Sequence, residues 1–332
     1  MVSPPPGSAF ETPLLRIVFM GTPHLAARIL EILLTAPRDQ LRVVAAVTRP
    51  DQPRGRGLRL ETSEVGLLAD KCTIPVLKPA RIRNSEFLGE LRSFEPDLLV
   101  IAGYGKILPK EVLAAAHLMP INVHTSLLPK FRGASPVEGA ILAGEPESGV
   151  TIMRVSERMD AGPILLQRTI SLAPGETQGS LKAKLAELGG AVLLEALTLL
   201  MRGELAETEQ DETLATYTSL ITKEHAIIDW DADAEHVERM VRAYDPWPVA
   251  RTKLVHDELL VWRAALVSSS EESLESATAP PGTLVKLEPG PIVKCGKGLL
   301  ELIEVQAPGR RRMAAAAFMR GRRVGEGLRL GE

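Results

Sequence analysis

A chain of 332 residues is long for one domain and comfortable for two, each able to bury its own core. With 45% apolar residues, 24% charged residues and a formal net charge of -3, it is globular rather than disordered. No apolar run approaches the ~20 residues of a membrane span, residues 1–13 lack the basic and apolar regions of a secretory signal, and Cys72 and Cys295 have no metal-type spacing.

Residues 1–13, with three consecutive prolines, read as a disordered extension. Leu14 to Met20 is a buried-strand pattern, followed by Thr22 and Pro23, suited to a helix cap and first turn. His24 to Thr35 is an amphipathic helix and Leu41 to Thr48 the next strand. Leu98 to Ala102, Met119 to His124, Val150 to Val155 and Ile164 to Thr169 are further strands, and Gly179 to Met201 is a long helix. Strand–helix alternation predicts an α/β domain with a Rossmann-like parallel sheet over residues 14–204. The Gly-x-Gly-x-x-Gly fingerprint and the P-loop are both absent, so neither NAD nor ATP is implied.

Residues 205–222 are acidic, Thr-rich and weakly periodic, and are expected to form a linker. Over 223–332 come short alternating runs: Ala250 to Leu254, Leu259 to Ala264, Gly282 to Leu287, Pro291 to Cys295 and Leu299 to Val305. Turn residues separate them, which predicts a small OB-like β-barrel domain. Ser268 to Pro281 reads as a loop between strands.

The chemistry concentrates at the end of one strand. Asn122 and His124 are two apart, so on an extended strand both side chains leave the same face. An amide donor suits the oxyanion of a tetrahedral intermediate, and an imidazole moves protons; together they equip a site for acyl-type transfer. Asp160, in Arg-Met-Asp-Ala-Gly-Pro-Ile, supplies a carboxylate that would orient the ring. Taken alone, His124 reads as a satisfied strand-end histidine, Asn122 as a turn former and Asp160 as a turn residue. Arginines cluster twice, at Arg49, Arg54, Arg56 and Arg59 and again at Arg310, Arg311, Arg312, Arg320, Arg322, Arg323 and Arg329. Such clusters suit a polyanionic partner or an ordinary solvated face. Because residues 223–332 carry 16 basic and 17 acidic groups, any RNA surface there must be one face.

The run Asn122-x-His124-x-Ser126-Leu127-Leu128-Pro129-x-Phe131-Arg132-Gly133 closely resembles the signature of the folate-dependent formyltransferases. Phe-Met-Gly-Thr-Pro after the first strand, Gly-Tyr-Gly-Lys-Ile-Leu-Pro at 103–109, Gly149-Val-Thr-Ile-Met and Tyr244-Asp-Pro-Trp-Pro248 are similar as well, so the likeness runs from Leu14 to about Leu330. The resemblance implies a catalytic triad of Asn122, His124 and Asp160, and a 10-formyltetrahydrofolate donor held by Ser126, Leu127, Leu128 and Pro129 on one wall and Tyr104, Gly105 and Ile107 on the other. The apolar residues of the second wall equally suit core packing. Lys130 and Arg132 suit either the folate glutamate tail or RNA phosphate. No metal is implied.

Within the family, the length argues against the short single-domain members that act on glycinamide ribonucleotide. The stretch Arg49-Pro-Asp-Gln-Pro-Arg-Gly-Arg-Gly57 resembles the inserted loop by which the tRNA-formylating members enter the acceptor stem. It continues Leu-Arg-Leu-Glu-Thr-Ser-Glu rather than with the Lys-rich and Pro-Ser-Pro residues usual there, so Arg54, Arg56 and Arg59 are the residues carried over. Phe131 stands where an aromatic with a polar handle is more usual, a packing change. The resemblance therefore implies formylation of initiator methionyl-tRNA by a cytoplasmic monomer, with Arg54, Arg56, Arg59 and Arg310 to Arg312 meeting the tRNA. The rival expectations are a formyltransferase acting on an amino-sugar nucleotide, and a non-catalytic RNA-binding protein that keeps the scaffold as structure.

Overall fold

The computed structural model describes residues 14–54, 59–267 and 279–331, without the side chains of Arg54 and Arg59. The expected extension at 1–13, Arg56, and most of the expected loop at 268–281 lie outside the described residues. The chain divides into two compact units. One holds residues up to Arg132 with Gly149–Thr169 and Ala183–Tyr217; the other holds Gly133–Ser148, Ile170–Lys182 and everything from Thr218.

The first unit begins with β1 (Leu15–Gly21), α1 (His24–Leu33) and β2 (Leu41–Val47). A hairpin of β3 (Gln52–Arg54) and β4 (Arg59–Glu61) follows, then α2 (Glu64–Lys71), β5 (Val76–Leu77), α3 (Ser85–Ser93), β6 (Leu98–Ala102), α4 (Lys110–Leu113) and β7 (Met119–His124). Beyond β8 (Arg132–Gly133) and α5 (Pro136–Ala143), the latter belonging to the second unit, come β9 (Glu147–Arg154), β10 (Ile164–Ser171) and α6 (Gln178–Met201), which lie mostly in the first. Ile17, Val18, Phe19 and Met20 are each fully buried, as expected of a strand covered on both faces. β1 accordingly sits inside a seven-stranded sheet of order β10-β9-β7-β6-β1-β2-β5.

One expectation is corrected. The sheet is mixed, because β9 runs antiparallel to β7, with His124 opposite Thr151 and Asn122 opposite Met153. Apolar patterning fixes which residues are covered and says nothing of strand direction. The antiparallel register has a consequence for the site: Thr151 and Met153 project on the same sheet face as His124 and Asn122. On the opposite face, Gly189 and Gly190 let α6 lie close. A β-carbon on Gly189 would stand 3.1 Å from Val123 Cγ1, and one on Gly190 would stand 2.5 Å from Ile32 Cδ1.

The boundary between the units falls within β11 (Tyr217–Thr218), and the last stretch of the second unit continues with α7 (Ala234–Ala243). An antiparallel sheet then forms from β12 (Arg251–Leu254), β13 (Asp257–Leu266), β14 (Leu284–Lys286), β15 (Ile292–Lys294) and β16 (Leu299–Gln306), in the order β12-β13-β16-β15-β14. The short strand β17 (Met313–Ala314) pairs with β16, and α8 (Ala315–Arg322) follows. The strands match the expected alternating runs, whereas α7 and α8 lie outside that expectation. α7 buries Ala234, Val237, Met240 and Val241 at helical spacing, with charged residues on the opposite face, the pattern of an amphipathic surface helix.

Candidate active site

His124 is the last residue of β7 and is 6% exposed, while Ile121 and Val123 are buried on the other face of the strand. Its two ring nitrogens meet different groups. Nε2 lies 3.0 Å from the Phe131 carbonyl oxygen, an acceptor, so Nε2 carries hydrogen and donates. Nδ1 faces the Asp160 carboxylate at 3.8 Å. The structure thus brings together His124 and Asp160, which are 36 residues apart in sequence, and the strand alternation adds Asn122, half-buried, on the same face.

Both groups that meet the imidazole come from unusual backbone. Phe131 has φ +60° and Asp160 has φ +49°, the left-handed region that costs an L-residue energy and persists where neighbours hold it. The Phe131 amide donates to Thr216 Oγ1 at 2.8 Å, and the Arg132 amide donates to the Thr216 carbonyl at 2.8 Å. Beyond Asp160, Gly162 admits no side chain: a β-carbon there would lie 1.9 Å from the Arg154 carbonyl oxygen. The Arg154 amide also donates to the Pro163 carbonyl at 2.9 Å, so the loop rests on the end of β9.

The turn Ser126–Pro129 is organised from inside by Thr151. Its hydroxyl donates to the Ser126 carbonyl at 2.7 Å and accepts from the Leu128 amide at 3.1 Å. Gln167 Nε2 bonds both Thr151 Oγ1 and the Leu128 carbonyl at 2.8 Å. The Ser126 hydroxyl donates to the Lys130 carbonyl at 2.7 Å. The polar groups of this turn therefore spend themselves on shaping it. Thr151→Val keeps the shape and removes the hub, leaving buried polar groups without their partner. We expect a loss of about 1–3 kcal/mol and a raised KM for a folate donor, checked by thermal melts and steady-state kinetics; an unchanged KM would dissociate the turn from donor binding.

Of the other expected residues, Tyr104 is 5% exposed and packs in the apolar cluster with Val18, Met20, Val47 and Ile101, and burial pushes its phenol up to about 12. Gly105 has φ +78°, and Ile107 stands in solvent at 81% exposure. Arg54 and Arg59 pair through their backbones, the last pair described between β3 and β4. Lys78 Nζ bonds Asp51 Oδ1 at 2.8 Å at the hairpin's base and holds that carboxyl below its usual range. Arg310, Arg311 and Arg312 are exposed, with the Arg312 guanidinium over the Trp262 ring at 3.1 Å.

Arg132 corrects an expectation. It is fully buried, so neither a folate tail nor RNA phosphate meets its side chain in this structure. It forks onto both oxygens of Glu212 at 3.0 and 3.1 Å and bonds Gln210 Oε1 from Nε and Nη2 at 3.1 and 2.8 Å. Nη1 also reaches the Tyr217 hydroxyl at 3.1 Å. Sequence reasoning missed Gln210, Glu212, Thr216, Thr151 and Gln167, because each acts through partners remote in the chain. A Gln and a Glu in an acidic, aperiodic stretch give no local signal.

An amide and an imidazole at the end of β7, faced by a carboxylate from the loop after β9, are groups that can serve transfer through a tetrahedral intermediate. Comparison with known proteins gives the same direction. The formyl transferase model matches residues 15–197, and the model of the formyl transferase C-terminal domain matches residues 220–323. The methionyl-tRNA formyltransferase of Roseiflexus sp. (strain RS-1) is 44% identical over 321 residues, covering 96% of this chain and 96% of its own.

The chain belongs to the methionyl-tRNA formyltransferase family.

A second member of this family, from Pseudomonas fluorescens, is 43% identical over 93% of this chain and 94% of its own. Two solved structures share the fold at low identity. HypX from Aquifex aeolicus in complex with tetrahydrofolic acid superposes with a TM-score of 0.60 at 20% identity, over 92% of this chain and 47% of HypX. The N-formyltransferase from Helicobacter canadensis superposes with a TM-score of 0.62 at 16% identity, over 88% of this chain and 99% of that one. Within the methionyl-tRNA formyltransferase family, this chain carries Asn122, His124 and Asp160 on the first unit, inside the span of the formyl transferase match. Among the described residues no helix is long and apolar enough to cross a membrane.

Proposed function

We propose that the chain transfers the formyl group of 10-formyltetrahydrofolate to the α-amine of methionyl-initiator tRNA. The observation that carries the reading is His124, held between the Phe131 carbonyl and the Asp160 carboxylate, with Asn122 beside it on the same strand face. The neutral amine attacks the formyl carbon, and a carbon–nitrogen bond forms as the carbonyl oxygen gains negative charge. Asn122 donates a hydrogen bond to that oxygen. Collapse breaks the bond from the formyl carbon to N10, which leaves as an amine and must gain a proton, while the attacking nitrogen gives one up. His124 relays this proton at Nδ1, the nitrogen that does not donate to the Phe131 carbonyl, and Asp160 orients the ring and balances its charge. No covalent enzyme intermediate is required. Ser126, whose hydroxyl is turned to Lys130, takes no nucleophilic part.

In this reading the turn Ser126, Leu127, Leu128 and Pro129 and the stretch Tyr104, Gly105 and Ile107 frame the donor. Tyr104 contributes by backing the wall from the core. Arg54 and Arg59 of the β3–β4 hairpin, with Arg56 from the same arginine-rich segment of the sequence, and Arg310 and Arg311 beside β17, meet tRNA phosphate; Arg312 lies against Trp262. We also propose that the antiparallel sheet closes into an OB-like barrel. Leu330 bridges Leu254 of β12 and Arg329 bridges Thr283 just before β14, so the last residues join both edges. A monomeric, cytoplasmic enzyme is the simplest setting for this substrate.

The test is formyl transfer from 10-formyltetrahydrofolate to charged initiator tRNA, with charged elongator tRNA as control. Formylation of the initiator alone is expected, and none on either would end the proposal. Reversing Arg310 and Arg311 to Glu is expected to raise KM for tRNA and to lower the salt slope of binding by about one unit for each phosphate that is no longer neutralised. An affinity independent of salt would rule out phosphate binding at these arginines.

A further inference from the structure

Arg132, Gln210 and Asp160 form a continuous chain of hydrogen bonds that ends opposite His124. A guanidinium has five N–H donors. Two reach Gln210, two reach Glu212 and one reaches the Tyr217 hydroxyl, so all five are used within this cluster. The fork fixes the orientation of the Gln210 amide. Its oxygen takes two guanidinium hydrogens, which leaves its NH2 pointing away from Arg132. That NH2 donates to the Asp160 carbonyl at 2.8 Å and the Gly162 carbonyl at 2.7 Å. The reversed amide would set donors against donors and acceptors against acceptors at all four contacts. Gln210 is only 9% exposed, so water does not compete freely for these bonds.

We infer that Gln210, oriented by the buried Arg132, is a positioning residue that fixes the Asp160 carboxylate opposite His124; this rests on the roles proposed for those two residues above. Asp160 occupies left-handed backbone, which needs external restraint, and Gln210 grips the carbonyls on both sides of Ala161. The same substructure restrains the other side of the ring. Arg132 directly follows Phe131, whose carbonyl accepts from His124 Nε2, and Thr216 holds the backbone of both residues. Residues 210–217 therefore set what each nitrogen of His124 meets. A carboxylate displaced by about 1 Å loses its alignment with the ring, which is enough to slow chemistry without touching substrate affinity.

The experiment is a double-mutant cycle on the full-length protein, assayed for formyl transfer to charged initiator tRNA. Gln210→Leu keeps the volume and removes all four hydrogen bonds. Gln210→Glu keeps the acceptors for Arg132 and replaces the two donors with oxygens that face carbonyls. Each is expected to lower kcat about tenfold to a hundredfold with KM for both substrates retained. In an Asp160→Asn background neither is expected to lower kcat further, because Gln210 acts through that carboxylate. Melting curves identify a variant that fails to fold, and the isosteric Gln210→Glu then carries the cycle. Losses that multiply with Asp160→Asn, a change confined to KM, or wild-type kcat in both Gln210 variants would overturn the inference alone. Wild-type activity of Asp160→Asn itself would overturn the reading of the site as well.

Discussion

Replacing His124 with alanine is expected to lower kcat for formyl transfer by about 10²–10⁴-fold, with KM for the folate donor and the tRNA nearly unchanged. The size follows from the chemistry. In the proposed mechanism N10 leaves as an amine, so a proton must arrive as the bond to the formyl carbon breaks, and His124 is the group proposed to relay it. The retention of KM follows from burial: at 6% exposure, His124 offers a bound substrate little area, so removing it costs little ground-state affinity. The cavity left by the ring is bounded by the Phe131 carbonyl and the Asp160 carboxylate, both held by other residues. The fold should therefore survive. Asn122→Ala is expected to behave alike, with a loss of about 10²–10³-fold. Single-turnover rates at saturating donor and acceptor separate chemistry from product release. A loss confined to KM, or an undiminished single-turnover rate, would remove His124 from the chemistry.

The second large effect is on stability. Arg132→Met should lower the melting temperature by roughly 5–15 °C, from a loss of about 2–4 kcal/mol. The change leaves the buried Gln210 oxygen without its two donors and Glu212 without its fork. The loss stays below that of a wholly buried ion pair because Glu212 is 47% exposed and turns to water when released. The pH dependence provides an independent check. The guanidinium of Arg132 is the main cause that holds the Glu212 carboxyl below its ordinary range, with Arg158 adding to it. A carboxyl whose folded pKa is depressed stabilises the fold fully above its unfolded value of about 4.3. That contribution fades as the pH falls below this value and through the lowered folded one. The wild-type melting temperature should therefore fall more steeply in acid than that of Arg132→Met. Parallel curves, or an unchanged melting temperature at neutral pH, would refute the account.

The most legible parts of this protein were those whose signal is local. β6 and β7 begin and end where the apolar runs do, and the runs at 251–306 became strands because alternation is a property of neighbouring residues. Strand direction was not legible: β9 has the composition of any buried strand, yet its reversal places Thr151 beside the Ser126–Pro129 turn. α7 was legible, since Ala234, Val237, Met240 and Val241 recur at helical spacing opposite Glu235, Glu238, Arg239 and Arg242, but the expectation for this stretch followed only the strand-like alternation further on. Arg132 was visible in its motif but its role stayed open between a folate tail and RNA phosphate, because the buried partners that take up its guanidinium are remote in the chain.

The sequence by itself determined that an amide and an imidazole stand two residues apart on one strand, inside a long and specific signature. That information is local, because the two-residue period of a strand alone sets both side chains on one face. Only the tertiary structure decided how the histidine is held. Its partners come from residues 131 and 160, and theirs from residues 210–217, segments that approach only when the sheet is assembled. A hydrogen bond depends on distance in space, and distance along the chain carries no trace of it. The stretch that reads in sequence as an acidic connection is, in the fold, what orients the carboxylate.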